Sequence, residues 1–299
     1  MKKDFFTSAE IIPPPSKDGV PDWAERRIEK LSGYFDSFNI VTKPKRIDSI
    51  DFFPYVNQFR PATVHYAVGE KEPEEVMDDF HKAQELGVEH MLIIGGDLPE
   101  DQRKRKIFAS DAIKIAKDNA HKFSIGAALN QYPDDPKFEL KRLADKIEAG
   151  TDYIFLQPTF DIESTQDFLN WAKILLYEQN LNMPPVVDGL IVFDYEFGDG
   201  GLERVKSFGI KVIPETEKEV LEKGNNLTSC TSLYESIGSN GKYDVEKLGV
   251  YFIPFSWKQY RTLDKISGEL SKIKATLFQR GDLYTSPVCL SPSRGRSES

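Results

Sequence analysis

Eight short apolar runs recur along this chain, each rich in β-branched or aromatic residues and separated from the next by a polar or helix-like stretch. They are Phe5–Ile12, Phe38–Thr42, Ala62–Val68, His90–Ile94, Phe123–Leu129, Tyr153–Gln157, Val186–Val192 and Gly249–Phe255. Most are apolar throughout rather than alternating, which is the pattern of parallel strands covered on both faces. Between them lie amphipathic segments. Pro73–Leu86 begins with a proline followed by acids and stops before Gly87. Phe138–Ala149 ends at Gly150, Glu163–Tyr177 carries an apolar stripe, and Trp257–Leu277 reads as the last helix. Eight strands in alternation with helices predict a single (β/α)8 TIM-type barrel rather than an open doubly wound sheet. One break interrupts the alternation, between Phe193 and Gly249. It holds Gly198, Gly200 and Gly201, a strand-like Ile210–Pro214 and a helical stretch from Glu217–Leu221 towards Ile237. This is read as an elaborated connection between the seventh and eighth strands. Residues 1–278 form the barrel domain, and 279–299, rich in Ser, Pro and Arg, read as a disordered tail.

The length of 299 residues fits a barrel of about 250 with trimmings. A formal charge of −9 and a pI of about 5.2 argue against nucleic acid or an anionic membrane as the main partner. No apolar run approaches the roughly 20 residues of a membrane helix. Met1-Lys2-Lys3-Asp4 leads straight into a strand without a signal-peptide pattern, so a cytoplasmic protein is expected. Cys230 and Cys289 make no disulfide framework, and no Cys/His cluster has metal-ligand spacing.

In such barrels the chemistry collects at the C-terminal ends of the strands. Gly95-Gly96-Asp97-Leu98-Pro99 delivers a carboxylate there after His90–Ile94, and Glu10 ends the first run in the same way. Thr42, His65, Leu129 with Asn130 and Gln131, Gln157, Asp161 and Ser256 complete the strand-end set. The set is polar, without a Ser/His/Asp nucleophile arrangement or a lysine at a strand end for Schiff-base chemistry. It suits an enzyme that binds a flat heteroaromatic group, donates one proton and leaves the hard chemistry to a cofactor. Each residue has a structural rival. Glu10 could cap the prolines that follow, Asp97 could form an Asx turn, His65 could be a satisfied core histidine, and Gln157 could serve backbone groups.

Taken in order, these segments resemble the methylenetetrahydrofolate reductase family over residues of about 5 to 276. The pieces are Ser8-Ala9-Glu10-Ile11-Ile12-Pro13-Pro14, Gly96-Asp97-Leu98-Pro99, Phe108-Ala109-Ser110-Asp111, the turn from Ala127-Ala128 to Pro133, Lys146-Ile147-Glu148-Ala149-Gly150, and Gln157-Pro158-Thr159-Phe160-Asp161. The resemblance implies reduction of 5,10-methylene-tetrahydrofolate, or a related tetrahydropterin carrier, to its 5-methyl form, with NAD(P)H as co-substrate and FAD as cofactor. It gives Glu10 the role of proton donor, and Asp97 contact with the pterin and tuning of the flavin. It places Gln157, Asp97 and Phe197 on the substrate, and Thr42, His65, Ala109, Ser110 and Lys146 around the cofactor. Self-association is common in the family, so a homo-oligomer is an open expectation.

Four departures fall on the flavin side. Gly95 stands where the family has an arginine, Leu129 where it has a flavin-facing tyrosine, Arg142 and Asp145 where Asn and Arg grip the diphosphate, and Trp257 at an arginine position. An aspartate near a diphosphate repels it, and a lost bidentate contact costs about 2 kcal/mol or more. Two other readings therefore stay open: direct hydride transfer without flavin, or a non-catalytic pterin- or folate-binding barrel.

Overall fold

The computed structural model describes residues 5–15, 20–96, 106–119, 121–193, 198–238, 245–254 and 268–269. In chain order the described residues form β1 (Phe6–Ile11), α1 (Asp22–Ser32), β2 (Ser37–Ile40), α2 (Ser49–Asn57), β3 (Ala62–Ala67), α3 (Pro73–Glu85), β4 (His90–Ile94), α4 (Ala109–Asp118), β5 (Ser124–Leu129), α5 (Pro136–Glu148), β6 (Tyr153–Pro158), α6 (Ile162–Glu178), β7 (Val186–Val192), α7 (Gly198–Ser207), α8 (Pro214–Lys223), α9 (Leu227–Gly238) and β8 (Lys247–Pro254). The eight strands are parallel and close in sequence order, β1 pairing with both β2 and β8. This is the expected (β/α)8 barrel, with each strand on its apolar run.

Local chemistry sets the helix starts. The Asp135 carboxylate accepts from the Lys137 and Phe138 amides ahead of α5, with Pro136 as its first residue. Two helices carry weaker signals in the sequence, α1 and α2, the latter with Pro54 inside it. The elaborated region differs from expectation. Ile210–Pro214 is not a strand, because Ile213 is the N-cap and Pro214 the first residue of α8. The stretch towards Ile237 is two helices, broken where Gly224 takes φ +67. Gly198, Gly200 and Gly201 open α7. The expected Trp257–Leu277 helix and the tail lie outside the described residues, apart from 268–269. Among the described residues no helix is long and apolar enough to cross a membrane.

The large core lies between strands and helices, with Ala9, Ile11, Phe38 and Ile40 among its buried members. A smaller cluster of Leu92, Tyr153, Phe155, Val187 and Tyr251 fills the barrel interior. Two glycines make room for its tyrosines. A Cβ on Gly126 would lie 2.3 Å from the Tyr153 ring, and one on Gly189 would lie 2.9 Å from that of Tyr251. The Tyr251 hydroxyl donates to the Leu156 carbonyl at 2.7 Å, tying β8 to β6.

A buried ion pair joins β7 to β8. Lys247 Nζ bonds the Asp188 carboxylate, which is fully buried and also accepts from Thr159 Oγ1 at 3.3 Å. Removing one partner of such a pair is far more costly than never having had it, because the other charge stays buried. Asp188→Ala should lose about 3 kcal/mol or more, read as a lower midpoint in urea unfolding.

Candidate active site

Glu10, His65, Ala128, Gln157, Ile191 and Tyr251 are among the residues lining a cavity of about 240 Å3 at the C-terminal end of the barrel. Strand alternation explains who lines it. Ala9 and Ile11 belong to the core under the helices, so the Glu10 between them faces inward. Likewise Ala128 lines the cavity and its neighbour Leu129 is fully buried in the outer core. Phe208 and Ile210, on the connection from α7 to α8, close one side, Phe208 remaining 55% exposed.

Burial pushes the Glu10 carboxyl up to about 8, with the Lys43 ammonium pulling the other way. Most Glu10 carboxyls therefore hold their proton at neutral pH, as a proton donor must. His65 is 6% exposed, its ring meets Phe155 edge-on at 6.0 Å, and its Nε2 has no hydrogen-bond partner among the described residues. Burial drives its pKa down to about 3, so the imidazole is neutral. Gln157 is held by its backbone: its amide donates to Gln131 Oε1 at 3.0 Å, and its carbonyl accepts from Gln131 Nε2 at 2.7 Å. Gln131 serves the backbone so that the Gln157 side chain can serve the cavity.

Other strand-end candidates are structural. Asp161 caps α6 by accepting from Ser164 N at 3.1 Å, and Asn130 Oδ1 accepts from Tyr132 N at 2.9 Å. Asp97, Phe197 and Ser256 lie outside the described residues. Sequence reasoning missed Lys43, Tyr251 and Phe208. Lys43 was discoverable, because Lys43-Pro44-Lys45-Arg46 follows a strand end directly. Tyr251 and Phe208 look like core and surface aromatics, and only the closed barrel brings them to the cavity.

A model of the methylenetetrahydrofolate reductase family matches residues 1–226, about three quarters of the chain. The chain belongs to that family. A probable methylenetetrahydrofolate reductase (NADPH) of Caenorhabditis elegans is 23% identical over 241 residues, covering 74% of this chain and 35% of the worm protein. Methylenetetrahydrofolate reductase 2 of Saccharomyces cerevisiae is 31% identical over 117 residues, covering 34% of this chain and 19% of the yeast protein. The matches thus span about a third or less of these relatives' length. Among solved structures, an uncharacterized protein from Clostridium thermocellum that binds two copies of 5-methyl-5,6,7,8-tetrahydrofolic acid superposes with a TM-score of 0.69. It is 19% identical, with 92% of this chain and 96% of that one covered, and shares the fold.

The flavin expected of this family can be tested against the donors present. Thr42 Oγ1 is spent on the His65 carbonyl at 2.5 Å and contacts Ser49 Oγ at 3.0 Å. Lys146 is buried, donates to the Ala128 carbonyl at 2.7 Å, and is pushed down to about 8 by burial. Arg142 is paired at 2.7 Å with Glu139, whose buried carboxylate also accepts from Asn130 N. Ala109 and Ser110 open α4, where Asp111 already brings a carboxylate to the Phe108 amide at 3.1 Å. Leu129 faces away from the cavity. At these family positions the described residues therefore do not offer free groups to a flavin dinucleotide's diphosphate, and the protein is expected to purify without a flavin absorption band.

A second expectation concerns pH. Between pH 4.5 and 8 the unfolded chain has released the Glu10 proton that the folded chain retains, so stability falls as pH rises across that window. The slope from this group is at most about 1.4 kcal/mol per pH unit. Glu10→Gln should raise the unfolding midpoint at pH 8 and leave it nearly unchanged at pH 4, as thermal melts will show.

Proposed function

We propose that this chain reduces the methylene bridge of a 5,10-methylene-tetrahydrofolate, or of a related tetrahydropterin, to a 5-methyl group, with NAD(P)H as hydride source. The observation that carries the reading is Glu10, a carboxyl held protonated by burial in a cavity at the barrel mouth. Glu10 passes its proton to the amine nitrogen of the five-membered ring, the ring opens to an iminium, and a hydride closes the reaction on the methylene carbon. Gln157, fixed by Gln131, supplies amide hydrogen bonds to the flat pterin, and His65 Nε2 is a further polar contact in the same cavity. Asp97 and Phe197 are assigned to the carrier on family grounds.

Within this reading the commitment of Thr42, Arg142 and Lys146 to the protein's own groups favours hydride transfer directly from the nicotinamide. The test is Glu10→Gln. Carrier binding should persist while NAD(P)H oxidation with methylene-tetrahydrofolate falls by a factor of about 100 or more. Unchanged turnover removes Glu10 from the chemistry, and a wild-type protein that binds carrier without oxidising NAD(P)H makes this a binding barrel. The domain assignment has its own check: a chain ending at residue 278 should melt at the temperature of the full chain and bind carrier equally well.

A further inference from the structure

The turn after β2, Lys43-Pro44-Lys45-Arg46, carries three cations that the chemistry above does not use. The Arg46 amide donates to the Lys43 carbonyl at 3.3 Å, and Lys45 takes φ +61. With proline in the second place and a positive φ in the third, this is a type II turn, whose third place normally goes to glycine or asparagine. Its base is fixed from three sides. Thr42 and Ser49 both donate to the His65 carbonyl, the Ile47 amide donates to the Pro14 carbonyl at 3.1 Å, and Arg46 forms an antiparallel bridge with Pro15. The turn is thus locked against the end of β1, close enough to Glu10 for the Lys43 charge to act on its carboxyl.

Two of these charges, Lys45 and Arg46, are available. The chain has 48 acids against 39 lysines and arginines, yet among the described residues neither Lys45 nor Arg46 has a carboxylate partner. Lys71, Lys82, Lys106 and Lys117 each have one. The same end of the barrel holds the buried His65, whose Nε2 has no partner among the described residues and whose ring lines the cavity.

We propose that the Lys43–Arg46 turn is an oxyanion-binding site that anchors the charged end of a ligand whose ring occupies the Glu10–His65 cavity. The inference rests on the reading of that cavity given above. Two reactants of that reaction carry such a charge: the dinucleotide in its diphosphate, and a folate-type carrier in its glutamyl carboxylates. A lysine in a left-handed position keeps a charge where glycine would be conformationally easier.

Lys45→Gly removes the charge and relaxes the backbone, so the variant folds; Arg46→Gln removes the second charge. Titration calorimetry on the full chain would use ADP-ribose and the mono- and triglutamate forms of 5-methyltetrahydrofolate. The double variant should weaken ADP-ribose, or the advantage of triglutamate over monoglutamate, by about tenfold. The first result assigns the turn to the dinucleotide, the second to the carrier's tail. No change in either overturns the site. If the wild type ignores monoglutamate while ADP-ribose still depends on the turn, the carrier reading fails and the anion site stands.

Discussion

Closure of eight parallel strands is the constraint on which everything else here depends. Each strand is covered outside by helices and inside by its fellows, so a polar group on a strand must be satisfied by the protein or be kept for something else. Most are satisfied. Asn39 Nδ2 donates to Ser8 Oγ at 2.9 Å, Asp36 takes both the amide and the hydroxyl of Thr7, and Asp188 holds Thr159 and Lys247. Glu10, His65 and Gln157 line one cavity at the mouth of the barrel.

Desolvation acts on the buried titratable groups of this region in one direction. It raises Glu10, lowers His65 and lowers Lys146, moving each towards its uncharged form. Glu10 and His65 in the cavity lining are thereby held close to neutral, while Lys43, Lys45 and Arg46 bring positive charge to the turn beside the end of β1. A neutral lining suits an uncharged heteroaromatic ring, and a cationic turn suits what hangs from it.

The barrel was legible because both-face burial leaves unbroken apolar runs, and helices begin at prolines and acids. Glu10, His65 and Gln157 were legible as polar residues ending such runs. The elaborated region was not, since a β-branched segment such as Ile210–Val212 is equally at home in a strand or in the approach to a helix, and only Pro214 decides. Ser110 and Lys146 were placed on a cofactor by resemblance, and sequence cannot show that Lys146 spends its ammonium on the Ala128 carbonyl. Nor could it show Tyr251 beneath the cavity, because a tyrosine within an apolar strand announces burial but not its neighbours.

The aromatic filling of the barrel has a further consequence. Tyr153 against Gly126, Tyr251 against Gly189, and Phe155 between them fill the interior beneath the cavity. In the proposed reaction, solvent protons and the carrier then meet Glu10 from the same side. A carrier lying over Glu10 stops water from reaching the carboxylate that it has just discharged. In the proposed reaction the acid is consumed once per visit and recharged only after the product has left, so each reaction cycle includes a step of reprotonation from bulk water on an empty site.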